Sequence, residues 1–379
     1  MNFISKEKLK KANWPAIIYL VGVPLLVLSL TPIAFSKLAL FSPWMLLYVV
    51  IHYSIDTLSI TAGYHRRFSH KSYEASPIVD ALYLILGASA VQNSALVWSI
   101  DHRAHHSHVD GEKDPYSIRR GFAWAHFFWM FKKQNPIYSV RIPKDLQEHQ
   151  LVMWQHKFYL PLALLMTLGI PVIFFHFVFQ SALWGVFLGA GIRLLLSSHC
   201  TFLINSAAHT FGTRPFTDEN SARDNPILAF LTFGEGYHNF HHKFQNDFRN
   251  GIKWFQWDPT KWTIQLLAKL KLASKLKRTP QEKILKARIF MQEKKALLKT
   301  KKDFYSPQLK LLKAKFESSV ESFSLLRKEF EVMKSEKKAH AQKNFKALQK
   351  RLKAQQKEMK LHFKELYLAL NSQSYALSS

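Results

Sequence analysis

Three short segments of the sequence carry histidines at close intervals: His65-Arg-Arg-Phe-Ser-His70, His102-Arg-Ala-His105-His106 and His238-Asn-Phe-His241-His242. In the second and third the spacing is i, i+3, i+4, which on a helix brings three imidazoles to one face, within reach of one or two metal ions. The first has i, i+5 spacing, about 140° of rotation on an ideal helix. His65 and His70 are therefore expected where a helix leaves a membrane, or on different metals. Asn205 and His209, at i, i+4, add an amide and a ninth imidazole. One such group reads equally well as packed or surface histidines; its recurrence argues for a shared site. His52, His126, His149, His156, His176, His199, His340 and His362 have no such company and read as ordinary residues. His108 adjoins the second group but falls outside its spacing.

A nitrogen-rich site of this kind suits iron, copper or zinc by ligand type. The single cysteine, Cys200, excludes an internal disulfide, a Cys-based zinc site and an iron–sulfur cluster built from this chain alone. Trp98, Trp124, Phe127, Phe128 and Trp129 flank the histidines and point to a long apolar substrate. Attack on an unactivated C–H bond demands a strong oxidant, and two irons that share the electrons for reducing O2 can generate one. Neutral imidazoles leave the positive charge of such a centre uncompensated. Asp101, Asp110, Asp114, Asp224 and Glu235 are the carboxylates available to orient the rings and offset it, although each also reads as a solvated loop acid.

The histidines need elements that bring them together over about 170 residues, and composition says what those elements are. The 379 residues are 48% apolar, with 30 Phe and 10 Trp, yet carry a formal charge of +27. The two properties are segregated along the chain, because 30 Lys and Arg against 10 Asp and Glu lie from Lys261 onward. Four apolar runs, at 16–35, 44–63, 158–179 and 183–204, have about the 20 residues a bilayer crossing needs. The run from Trp14, preceded by Lys6, Lys8, Lys10 and Lys11, is expected to be a retained anchor rather than a cleaved signal. The connection within each pair of runs is nearly uncharged. Basic residues crowd the other ends at Arg66, Arg67, Arg119, Arg120, Lys132 and Lys133, so both termini and the histidines are expected on the cytoplasmic side. A fifth apolar stretch, 78–97, must not span, or the histidines on either side of it could share no metal. Its Gly87, Ser89, Gln92, Asn93 and Ser94 suit a helix packed on protein or lying in the interface.

The expected fold is therefore all-α: four transmembrane helices under a cytosolic helical cap that holds a di-metal site, in a catalytic domain over 1–276. Residues 277–379 form a basic extension. Within it Leu309, Leu312, Phe316, Phe323, Leu326, Phe330 and Met333 alternate by threes and fours, and after a slip Phe345, Leu348, Leu352, Met359 and Leu366 resume the pattern. This predicts an amphipathic helix or coiled coil broken near Pro280 and Pro307. Its cationic face suits anionic lipid headgroups, an acidic protein, or solvent alone.

At its histidine segments the chain resembles the membrane fatty-acid desaturases, and within them the acyl-CoA desaturases of the stearoyl-CoA, Δ9 type. The likeness runs from about residue 44 to 250. It is carried by Ile60-Thr-Ala-Gly63, Asp101-His-Arg-Ala-His-His106, Asp114-Pro115, Arg119-Arg-Gly-Phe122, Asn205-Ser-Ala-Ala-His209, Arg214-Pro215 and Gly234-Glu-Gly-Tyr-His-Asn-Phe-His-His242. The resemblance implies two Fe2+ ions held by the nine histidines, with Asn205 acting on one of them through water, and a bent internal tunnel for the acyl chain. It also implies an O2-dependent reaction that introduces a cis double bond. Asn93, Asp101, Lys132 and Lys133 match positions that contact the CoA end. Ile100 stands where the acyl-CoA enzymes carry an arginine, which leaves acyl-lipid or carrier-protein substrates open, and Phe202 replaces a tryptophan of the tunnel wall. No His-Pro-Gly-Gly haem signature occurs, so the electron donor is expected to be a separate b-type cytochrome, or a ferredoxin with its reductase. Membrane lipid is an expected partner and nucleic acid is not. A lipid hydroxylase on the same scaffold and a non-catalytic metal-binding scaffold are the rival readings.

Overall fold

The computed structural model of the chain describes residues 12–132, 142–298, 306–335 and 342–375. It divides into two compact units, one from the described parts of Met1–Thr213 and Glu219–Arg278, the other from Arg214–Asp218 and Thr279–Ser379. Helix dominates both. Among the described residues the only strands are Glu74–Ala75 and Ala273–Ser274, which pair antiparallel.

In the first unit four helices are long and apolar enough to cross a membrane: α1 (Trp14–Ser36), α2 (Pro43–Ser69), α5 (Tyr159–Phe179) and α6 (Ala182–His209). They coincide with the four apolar runs, but α2 and α6 extend five or six residues further, and those extensions carry His65, Asn205 and His209. α5 and α6 pack closely because α6 presents small residues at i, i+4. A Cβ on Gly185 would come within 2.8 Å of Val172 Cα, and one on Gly189 within 2.8 Å of Pro171 Cβ.

The stretch at 78–97 is not one straight helix. It is split between α3 (Pro77–Gly87), which runs on as a 3-10 turn to Ala90, and α4 (Ala95–His108), and the two halves meet at 82°. Neither half reaches the ~30 Å of a bilayer core at 1.5 Å per residue. The bend places Val91 and Asn93 at φ of 53° and 76°, which is costly for a β-branched residue. Ser89, just before it, is gripped by three spans. Its carbonyl accepts from Arg193 Nη1 of α6 at 2.8 Å and from Thr167 Oγ1 of α5 at 3.0 Å. Its hydroxyl donates to Asp56 of α2, whose other carboxylate oxygen lies 2.5 Å from Arg193 Nη1. Asp56, Ser89 and Arg193 are fully buried.

Outside the spans the unit includes the short helices α7 (Pro226–Leu231) and α8 (His238–Lys243) and the longer α9 (Pro259–Lys269). Tyr64, Phe68, Leu84, Leu96, Phe248 and Ile264 form the core beneath the histidines.

The second unit is a three-helix bundle of α10 (Gln281–Leu297), α11 (Pro307–Ser335) and α12 (Gln342–Tyr375). Phe330 stacks on Phe345 and Phe316 meets Phe363, so α11 and α12 run antiparallel. The slip in the hydrophobic pattern is thus the passage from one helix to the next. The alternating residues supply the core, with Leu309, Phe316, Phe323, Met359 and Leu366 all buried against Leu285 and Ile289 of α10.

Candidate metal centre

The expected rotation between His65 and His70 does not occur. From Ser59 to Ser69, α2 winds as a π-helix, and the His70 N–H donates to the His65 carbonyl at 3.0 Å. An i→i+5 turn returns the fifth residue to the same face. The two rings lie 4.8 Å apart, so they approach one position rather than different metals.

All nine histidines converge, in two adjoining groups. His65, His70, His102, His106 and His241 form one, and His105, His209, His238 and His242 the other; within each the potential ligand atoms lie within 4.8 Å of one another. Nε2 atoms face each other at 3.0 Å for His65 and His241, 2.8 Å for His70 and His102, and 3.1 Å for His209 and His238. The rings of His106 and His242 stack at 4.4 Å across the two groups. Because His70 and His102 share a group, α3 and α4 cannot carry the chain across a membrane between them. The remaining histidines stay apart: His126 pairs with His199, His149 with Asp80 and His156 with Ser94. His108 belongs to neither group, and His340 lies outside the described residues.

The outer nitrogens explain why the inner ones are free to bind. His105 Nδ1 lies 2.9 Å from Asp114, His65 Nδ1 2.9 Å from Glu235, and His209 Nδ1 2.7 Å from the Ser221 hydroxyl. A proton held there leaves a lone pair on Nε2. Burial, then repulsion from neighbouring imidazoles, holds His70, His106, His241 and His242 well below the ordinary histidine range, and His238 at about 3. Neutral rings with their lone pairs converging repel one another unless cations sit between them. The donor set therefore fits two adjacent metal ions.

Two of the five carboxylates expected around the rings, Asp114 and Glu235, meet an imidazole directly. Asp110 acts one step removed, accepting from the Ser221 N–H and hydroxyl at 2.6 Å each. Asp224 instead accepts from the Asn239 and Phe240 N–H groups at 2.8 and 3.1 Å, fixing the start of α8 and so its three histidines. Asp101 lines the neighbouring cavity, where burial pushes it up to about 7. Sequence reading gave Arg66 no role beyond its charge, yet it is fully buried and clasps both Glu235 (2.9 Å) and Asp258 (3.0 Å). Burial raises the Glu235 carboxyl, but the charges of His65 and Arg66 outweigh it and hold it at about 2.

A cavity of about 810 Å³ opens onto both groups and is lined by His65, His102, His105, His238 and Asn205. Trp98 and Trp129 line it too, whereas Trp124, Phe127 and Phe128 do not; Phe127 borders a smaller cavity of about 250 Å³. Trp98 stacks on His102 at 4.8 Å and Tyr116 on His105 at 4.4 Å. Gln92 bridges the wall, donating to Thr201 at 2.9 Å and accepting from the Trp98 indole at 3.2 Å; the sequence marked it only as a polar residue of the 78–97 stretch. Asn93, Asp101, Lys132 and Phe202 all line the cavity, and Lys133 lies outside the described residues.

Residues 39–269 match the fatty acid desaturase family. The chain is 42% identical over 264 residues to acyl-CoA desaturase 1 of Saccharomyces cerevisiae, an alignment covering 69% of this chain and 52% of that one. It is 34% identical over 265 residues to the sn-2 palmitoyl-lipid 9-desaturase of Nostoc sp., covering 65% and 88% respectively. With human stearoyl-CoA desaturase it shares 35% over 247 residues, covering 63% and 68%. The chain spans just over half the length of two fungal relatives, 52% for the budding-yeast protein and 58% for the probable acyl-CoA desaturase of Schizosaccharomyces pombe.

Proposed function

Since the chain belongs to the fatty acid desaturase family, we propose that this multi-pass membrane protein is an O2-dependent di-iron desaturase that introduces a cis double bond into a saturated fatty acyl chain. The observation that carries this reading is the convergence of nine imidazoles on two adjoining positions beside one largely apolar cavity. Five histidines, His65, His70, His102, His106 and His241, would hold one iron. His105, His209, His238 and His242 would hold the other, with Asn205 acting through water. Bound there, the irons would supply the reduction of O2 and the removal of two hydrogens from adjacent methylenes.

The chain's own residues do the rest. Asp114, Glu235 and Ser221 fix the rings, and the cavity wall holds one carbon pair beside the metals. Binding discriminates a single methylene by only about 1–3 kcal/mol, so the position of the double bond, Δ9 in our reading, has to come from the length and shape of that wall. We assign a polar head group to Asn93, Asp101 and Lys132, which line the cavity, and to Lys133 on its place in the sequence beside Lys132. Acyl-CoA is the favoured substrate on the names of the fungal and human relatives; Ile100, and likeness to an acyl-lipid enzyme over 88% of its length, support acyl lipid as the second reading. The termini and the metal centre are assigned to the cytoplasmic side by the positive-inside rule, and electrons to a separate donor protein.

Expression in cells that lack their own desaturase tests this directly. Cis-monoenoic fatty acids should appear, about two irons should copurify per chain, and both should fall sharply in His105→Ala. A hydroxylated chain without an olefin would move the reading to a hydroxylase, and neither product would end it.

A further inference from the structure

The outer face of α12 carries Lys346, Lys350, Lys353, Lys357, Lys360 and Lys364, at successive intervals of four, three, four, three and four residues. At 100° per residue these six fall within about 40° of one line along the helix, which is about 27 Å long. All six are exposed. The buried residues Leu348, Met359 and Leu366 lie on the opposite face, so this stripe looks away from the bundle core. No acidic residue interrupts it: Glu358 and Glu365 fall to one side. None of the six forms an ion pair among the described residues, whereas Lys294, Lys313 and Arg327 of the neighbouring helices each do.

A helix face that only needed solubility would mix its charges. Lysines three and four apart are neighbours, and like charges at that spacing oppose helix formation, so this stripe carries a standing electrostatic penalty that an anionic counterpart would relieve. We infer that the lysine stripe of α12 is a docking surface for the anionic headgroups of a lipid bilayer.

Three features select lipid over an acidic protein. The stripe lacks the aromatic and arginine anchors that concentrate in protein interfaces, from which lysine is depleted. Lysine is a strongly hydrated point charge on a flexible stem, suited to a diffuse anionic plane rather than to fixed bidentate partners. Leu361 and Leu368, more than half exposed, continue the same face toward its C-terminal end and give it an apolar edge that can enter the headgroup layer. The chain also reaches this bundle directly from the membrane-embedded unit, which keeps a bilayer within reach.

The test uses the full-length protein in lipid nanodiscs, with a nitroxide on Ala354→Cys, an exposed position flanking the stripe; the native Cys200 is buried. Discs of phosphatidylcholine alone are compared with discs in which about one lipid in three is phosphatidylserine. Accessibility to a neutral, water-soluble relaxation agent should fall several-fold in the anionic discs. It should return to the neutral-disc value at high salt, and in Lys350→Gln/Lys353→Gln/Lys357→Gln, whose unchanged melting would show an intact bundle. Equal accessibility in the two discs overturns the inference, as does protection that survives in the triple variant. Protection that arises only when an acidic soluble protein is added assigns the face to a protein and overturns it too.

Discussion

Glu235 stands at the point where ligand geometry and charge are set together. One oxygen faces His65 Nδ1 and the other is held by the buried Arg66, which also grips Asp258. Replacing it with Ala removes the orienting partner of His65 and leaves Arg66 with Asp258 as its acid partner, and partners of this kind typically contribute 10–100-fold to metal affinity, so a loss of about that size is expected. Asp114→Asn should weaken the other group through His105. Chelator titration of the iron-loaded protein measures both, and unchanged affinity in Glu235→Ala would remove Glu235 from its assigned part. The ligands themselves were legible because i, i+3, i+4 spacing has one geometric meaning on a helix. The shared position of His65 and His70 was not, since five residues at 3.6 per turn imply a wide rotation and the backbone there is wound more widely. Arg66 was hidden for a different reason: whether an arginine is buried depends on partners such as Asp258, far away in sequence.

The spans themselves follow from hydropathy, and their limits agree with the apolar runs to within a few residues except where the site begins. The bend between α3 and α4 was legible only as a requirement, because no glycine or proline falls between Ala88 and Ser94; Val91 is held at positive φ by contacts on Ser89 from three helices. Asp56 and Arg193, at the centre of that grip, belong to the class of buried pairs in which loss of one partner costs about 3–5 kcal/mol while replacement of both by apolar residues is nearly neutral. Arg193→Met should therefore lower the melting temperature in detergent markedly. Asp56→Leu/Arg193→Met should recover most of the loss, though not the bond to the Ser89 carbonyl. A double variant no better than the single would mean that this contact to Ser89, rather than the ion pair, holds the bend.

Every group assigned to the metals belongs to the first unit, so a chain ending at Arg278 should bind iron and unsaturate lipids as the full chain does. The end point matters. Lys277 donates to the Ser72 carbonyl at 2.8 Å and accepts from the Phe248 N–H at 3.0 Å, next to the ladder that joins Glu74 to Ser274. A chain ending at Leu276 forfeits two backbone hydrogen bonds, roughly 1 kcal/mol each, and should melt lower than one ending two residues later; equal melting of the two would show that this fastening adds nothing. Composition placed the change of character near 277 because lysine content rises there. It could not register backbone pairing, which any residue can supply. The same fastening orders events during synthesis. The carbonyl of Ser72, two positions past His70, lacks its Lys277 partner until Lys277 has left the ribosome, and three of the nine imidazoles arrive only with α8. The centre can thus be loaded only late in biogenesis, and a translation product stalled among the spans would expose unmatched histidines to whatever metal the cell then has free.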